Sequence, residues 1–195
     1  ERDGTLKESY FVFQSYWTEK PMVHIYGHTW PVRWGKTGEQ KEVLVYSNCP
    51  EVELFVNGVS QGRKKRVVTD FPAAGLHWQV VLKEGHNTLK AIGYHKKQQI
   101  TDSIHQEYQT ESWGKESRIV LKQTLLPDTD TVLIEAQLVD ARGVRCLDSR
   151  KVIEFQVNGE GQLIQNQGTS TGSRKVQAYN GRACIRVVAP GSCNV

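Results

Sequence analysis

The chain has 195 residues, enough for one large domain or two small ones, and its 38% hydrophobic and 24% charged content is ordinary for a soluble globular protein. The formal net charge of +4 argues against an extensive nucleic-acid surface. No apolar run approaches the roughly 20 residues of a membrane-spanning helix.

The first element is a helix. Five aromatic residues fall within eight positions, Tyr10 to Trp17. Leu6, Tyr10, Phe13 and Trp17 recur at helical spacing and share one face. Phe11, Val12 and Tyr16 make the other faces apolar too. A helix apolar nearly all round must be covered, and no later segment carries a matching helical pattern. The expectation is that its cover lies outside this chain, in a larger protein.

After Pro21 the period switches to that of strands. Met22–Tyr26, Glu42–Tyr46, Val52–Val56, Val59–Arg63, His77–Leu82 and Asn87–Tyr94 read as strands, with Ile104–Tyr108 closing the unit. Asn57-Gly58 is a strong hairpin signal, because a type I′ turn needs positive φ at both central residues. Trp78, in mid-strand, is expected at the centre of the core. The polar stretch Thr110–Glu116 reads as a linker. A second series follows: Arg118–Leu121, Thr131–Val139, Val152–Val157, Gly161–Ile164, Arg174–Ala178 and Ala183–Val188. Val132, Ile134, Ala136 and Leu138 alternate with polar residues, the mark of one buried and one wet face. Val52–Gly58 and Ile153–Gly159 echo one another faintly.

Other signals are weaker. The four cysteines, Cys49, Cys146, Cys184 and Cys193, form no Cys-x-x-Cys pair and no zinc-finger spacing. They read as free thiols, with a Cys146–Cys184 disulfide as the alternative. Arg63-Lys64-Lys65-Arg66 reads as a charged edge that blocks sheet-to-sheet pairing; the alternative, an anionic glycan or nucleic-acid site, lacks interleaved aromatics. Asp128-Thr129-Asp130 resembles the start of a calcium loop but lacks the glycine and the distant glutamate. His24, His77, His86, His95 and His105 are assigned no role.

The run Ser9-Tyr10-Phe11 through Gln14-Ser15-Tyr16-Trp17-Thr18-Glu19-Lys20-Pro21-Met22-Val23-His24-Ile25 resembles the junction between catalytic barrel and accessory sandwich in glycoside hydrolase family 2, the β-galactosidase and β-glucuronidase family. Val45–Gly58, Gly75-Leu76-His77-Trp78 and Lys83–Asn87 continue the resemblance. Leu138–Gly143, Gly159-Glu160-Gly161 and Tyr179–Ala183 resemble a further immunoglobulin-like domain.

The resemblance implies an all-β chain of two tandem immunoglobulin-like β-sandwiches, preceded by a short helix left over from a (β/α)8 barrel. The implied domains are 1–20, the barrel remnant; 21–111, the first sandwich; and 112–195, the second, cut short at its C-terminal end. The family's two catalytic glutamates sit on barrel strands, and retaining glycosidases need carboxylates about 5–5.5 Å apart. This chain begins after those strands, so no catalytic residue, metal site or cofactor is expected in it. The implied partners are the barrel of the same protein and carbohydrate, with self-association open and nucleic acid excluded. The implied compartment is the bacterial periplasm or exterior. The rival reading is a free-standing carbohydrate-binding or adhesion module.

The candidate substrate-binding residues are His28, Trp30 and Trp34, in the segment Tyr26–Gly35, which reads as a loop. Indole faces stack on sugar rings, and His28 and Arg33 offer hydrogen bonds to hydroxyls. The alternative is that the tryptophans plug an interface with the barrel.

Overall fold

The computed structural model describes residues 6–69, 75–126, 130–164, 174–188 and 193–194. Apart from one helix, its regular elements are β-strands, and the chain divides into two units, Leu6–Thr110 and Glu111–Val195.

The first unit opens with α1 (Glu8–Trp17), which ends where Thr18 turns extended, ahead of Pro21. Eight strands follow: β1 (Val23–Ile25), β2 (Val32–Trp34), β3 (Gln40–Ser47), β4 (Glu51–Val56), β5 (Val59–Lys65), β6 (Leu76–Val81), β7 (Gly85–His95) and β8 (Gln98–Gln109). They form one sheet of order β1-β3-β6 and another of order β2-β8-β7-β4-β5. Both sheets contribute to a single core. Ile25, Val43, Val45, Trp78 and Val80 come from the first; Val52, Leu54, Leu89, Ala91 and Tyr108 come from the second. Trp78 is 3% exposed, and its indole N–H donates to the Gly62 carbonyl at 3.1 Å. Asn57 and Gly58 make the expected hairpin turn, with φ of 51° and 81°.

β2 departs from the sequence reading, which places Val32–Trp34 in a loop. These residues pair parallel with Glu107–Gln109 of β8. Three residues are too few to show a period, and their partner is remote in sequence. The basic run lies on and just beyond β5, an edge strand. Its charges are taken up locally: Arg63 pairs with Glu51 and Glu53 and lies over the Tyr94 ring, Lys64 lies over Trp78, and Arg66 over Tyr16.

The helix is covered on one side by this unit. Ser15 is 3% exposed, and the Phe11 ring stacks on His24 at 3.5 Å. The docked face is thus built from Glu8, Phe11 and Ser15, not from the aromatic stripe the spacing picks out. Leu6, Tyr10, Phe13 and Trp17 lie on the other side, between 48% and 79% exposed. Asn48 fastens the segment after the helix, donating to the carbonyls of Thr18 and Lys20 and accepting from the Met22 amide.

The second unit contains β9 (Arg118–Leu125), β10 (Thr131–Val139), β11 (Val152–Glu154), β12 (Asn158–Gly159), β13 (Gln162–Leu163), β14 (Lys175–Gln177), β15 (Arg182–Val188) and β16 (Cys193–Asn194). The main sheet has order β13-β15-β10-β9; β11 pairs with β14, and β12 with β16. The alternating Ile134, Ala136 and Leu138 of β10 meet Ala183, Ile185 and Val187 of β15, and Ile153, Phe155, Val176 and Ala178 complete the core. Asp140 shapes the turn after β10, accepting from the amides of Gly114, Arg142 and Val144 at 2.9 Å each.

The echo between Val52–Gly58 and Ile153–Gly159 is one of sequence only. Asn57-Gly58 is a turn, whereas Asn158-Gly159 is a strand paired with Cys193–Asn194. Cys49, Cys146 and Cys184 are buried free thiols, so the Cys146–Cys184 alternative fails. Asp128 and Thr129 of the calcium-like motif lie outside the described residues. Among the described residues no helix is long and apolar enough to cross a membrane.

Candidate functional site

The segment after β1 bends sharply. Gly27 takes φ of 108°, a region that disfavours side chains, and the Trp30 amide donates back to the Gly27 carbonyl at 2.9 Å. The bend is fixed from two sides. Glu8 of α1 accepts the Gly27 amide at 2.9 Å, and Gln106 of β8 donates to the Trp30 carbonyl at 3.1 Å. His28 and Trp30 ride on this bend. Trp30 is half-buried, its ring edge-on to Tyr26 at 4.9 Å. Trp34 stands on β2 and is 40% exposed. Arg33, beside it, donates to the Glu42 carbonyl at 3.0 Å. Burial pulls its pKa down, against the opposing influence of Tyr108 and Glu42.

Beneath the bend lies a polar cluster. His24 of β1 is 4% exposed and sits between two rings, Phe11 at 3.5 Å and His28 at 4.5 Å. Its Nε2 is 2.9 Å from Glu8 Oε2. Asp102 of β8 receives His28 Nε2 at 2.8 Å and the Ile25 amide at 2.7 Å, with His24 Nδ1 at 3.8 Å. Each carboxylate thus holds one imidazole and one backbone amide.

The charges follow from those partners. Burial pushes the Glu8 pKa up, but the hydrogen bonds from His24 and Gly27 outweigh it and leave it lowered. Asp102 is likewise lowered, because His28 and the Ile25 amide overcome burial. His28 is raised by its bond to Asp102, against the opposing effect of burial. The cluster therefore favours charged carboxylates facing imidazoles.

Of the three residues that the sequence singles out, His28 is drawn into this cluster, Trp30 packs on Tyr26, and Trp34 lies further along on β2. Glu8, His24 and Asp102 escape a reading of the sequence. One signal is present: His24 and His28 are separated by three residues, a spacing that metal-binding histidines use. Nothing in the sequence points from that pair to Glu8 or Asp102.

A family profile described as a domain of unknown function, DUF4982, matches residues 38–101. The chain is 41% identical, over 98% of its length, to a putative β-glucuronidase of Formosa agariphila, of which it covers 23%. It resembles the crystal structure of a Parabacteroides merdae β-glucuronidase at 60% identity and a TM-score of 0.86, covering 96% of this chain and 24% of that one. The apo structure of Bacteroides uniformis β-glucuronidase 3 matches at 64% identity and a TM-score of 0.86, over 95% of this chain and 24% of that one. The chain thus spans about a quarter of the length of these relatives. With both units matched along nearly their whole length, the chain belongs to glycoside hydrolase family 2, where it corresponds to the C-terminal accessory β-domain region of the family's larger enzymes.

Proposed function

We propose that this chain braces the catalytic barrel of a longer, bacterial, periplasmic or extracellular β-glucuronidase-like enzyme and forms part of the rim of its substrate cleft. The observation that carries this reading is the 60% identity to a β-glucuronidase over 96% of the chain, confined to 24% of that enzyme. In this reading the two units are immunoglobulin-like sandwiches, 21–111 and 112–195, and residues 1–20 end the barrel. The exposed stripe of Leu6, Tyr10, Phe13 and Trp17 then lies against that barrel, and His28, Trp30 and Trp34 face the outer part of a bound glycan. The free-standing module is not favoured, because these matches are to a portion of much larger enzymes.

The experiment compares the purified 195-residue chain with the longer protein on chromogenic β-glucuronides and β-galactosides. The chain alone should turn over neither, while the longer protein hydrolyses the glucuronide and loses that activity when these residues are removed. Turnover by the purified chain, or full activity of the longer protein without it, overturns the proposal.

A further inference from the structure

His24 poses a problem of proton bookkeeping. Glu8 Oε2 lies 2.9 Å from its Nε2. An ionised carboxylate only accepts, so Nε2 carries the proton. In a neutral imidazole that leaves Nδ1 as an acceptor, and Nδ1 faces Asp102 Oδ2, another acceptor, at 3.8 Å. That separation is too long for a hydrogen bond and suits a cation between the two atoms. His28 Nε2 lies beside the same oxygen, at 2.8 Å.

We propose that His24, His28 and Asp102 bind a transition-metal dication of the zinc type, with Glu8 as the outer carboxylate that orients His24. One ligand atom from each of the three residues lies within 4.8 Å of the others. Zinc bonds of about 2.0–2.2 Å in a tetrahedron set neighbouring ligand atoms roughly 3.3–3.6 Å apart. The distances of 2.8 and 3.8 Å to Asp102 Oδ2 straddle that value. Two imidazoles and one carboxylate suit zinc better than the all-oxygen shells of calcium or magnesium. A carboxylate on the far nitrogen of a ligating histidine is the usual support of such sites, and Glu8 occupies that place.

The arrangement is partly built already. Phe11 stacks on the buried His24 ring and holds its plane. His28 stacks nearly parallel to His24, at 13°, so a metal shared by both requires the His28 ring to tilt out of the stack. Its side chain is 30% exposed and sits on the bend, where such a tilt meets solvent rather than core. The fourth coordination position then opens on the same side, for water. This inference uses only the chain's own residues and stands apart from the glycosidase reading.

The test strips the full 195-residue chain with EDTA, dialyses it and titrates it with zinc chloride by calorimetry, with cobalt(II) absorption as a report on ligand type. The chain should bind one zinc ion, and zinc should raise its melting temperature. His28→Gln, which leaves the buried part of the cluster in place, should weaken binding at least tenfold with an unchanged circular dichroism spectrum. Glu8→Gln should keep the stoichiometry and lose about 10–100-fold in affinity. His105→Gln, in the exposed His86–His105 pair of β7 and β8, should bind like the parent. Absence of stoichiometric binding by the parent overturns the proposal. So does binding that survives His28→Gln or disappears with His105→Gln.

Discussion

The amide of Gly27 donates to Glu8 Oε1 at 2.9 Å, across 19 residues of chain, and thereby ties the first turn of α1 to the bend that carries His28 and Trp30. The other oxygen of the same carboxylate meets His24. Hydrogen bonds to a charged group contribute about 1.5–3 kcal/mol each. Glu8→Ala removes both and should therefore lower the unfolding free energy of the first unit by about 3–6 kcal/mol, measured by urea denaturation. It should also speed amide exchange at Gly27. An unchanged midpoint with unchanged exchange would show that the helix is not held through Glu8.

The two faces of α1 should respond differently to substitution. Phe13→Ser and Trp17→Ser act on side chains 52% and 79% exposed. Each should change the stability of this chain by no more than about 0.5 kcal/mol while reducing self-association in light scattering. Phe11→Ala removes the ring stacked on His24 and should cost clearly more. Equal losses on both faces would contradict the orientation of the helix.

Asp140 links the second unit to pH. The Gly114 amide, ahead of the opposing effect of burial and with the Val144 and Arg142 amides in support, holds its pKa below the usual carboxylate value. The unfolded chain therefore takes up this proton at higher pH than the folded one. The stabilisation is fully present above the unfolded value, about 3.9, and is lost as pH falls through the lowered folded value. Asp140→Asn should be less stable than the parent at pH 7, and the gap should close in strong acid. A gap that stays constant down to pH 2 would exclude this carboxylate as its source.

Trp34 separates rim contact from interface plug in the longer protein. If it touches the outer part of a glycan, Trp34→Ala should reduce kcat/KM for a disaccharide more than for a small aryl glycoside. As a plug it should affect both substrates alike and lower the melting temperature. Its 40% exposure in this chain places the stability cost below the roughly 3–5 kcal/mol of a fully buried aromatic.

How much is legible in the sequence depends on how local the cause is. β10 is plain because Ile134, Ala136 and Leu138 alternate with polar residues and all three face the core. The turn at Asn57-Gly58 is plain because few residue pairs tolerate positive φ at both positions. β2 is hidden because its partner lies some 75 residues further along the chain. The docked face of α1 is hidden because Glu8 and Ser15 look like solvent-facing residues until His24 and Gly27 are brought against them. The candidate cluster draws on positions 8, 24, 28 and 102, and only the His24–His28 pair has a spacing that draws notice.

The pairing of β7 with β8 also bears on the order in which the first unit assembles. Eleven residue pairs stand in register from Gly85–Tyr108 to His95–Gln98, and only Lys96 and Lys97 close the turn. So short a loop costs little entropy to close, and hairpins of this kind form in about 1–10 μs. β4 can then add to one edge of the ribbon and β2 to the other. Because Asp102, which holds His28, and Gln106, which holds the Trp30 carbonyl, both belong to β8, the ribbon carries two anchors of the Gly27–Trp30 bend before the bend itself has a fixed shape. The bend and α1 should accordingly be the last parts of this unit to become protected in a pulse-labelled refolding experiment, and the first to open under native conditions.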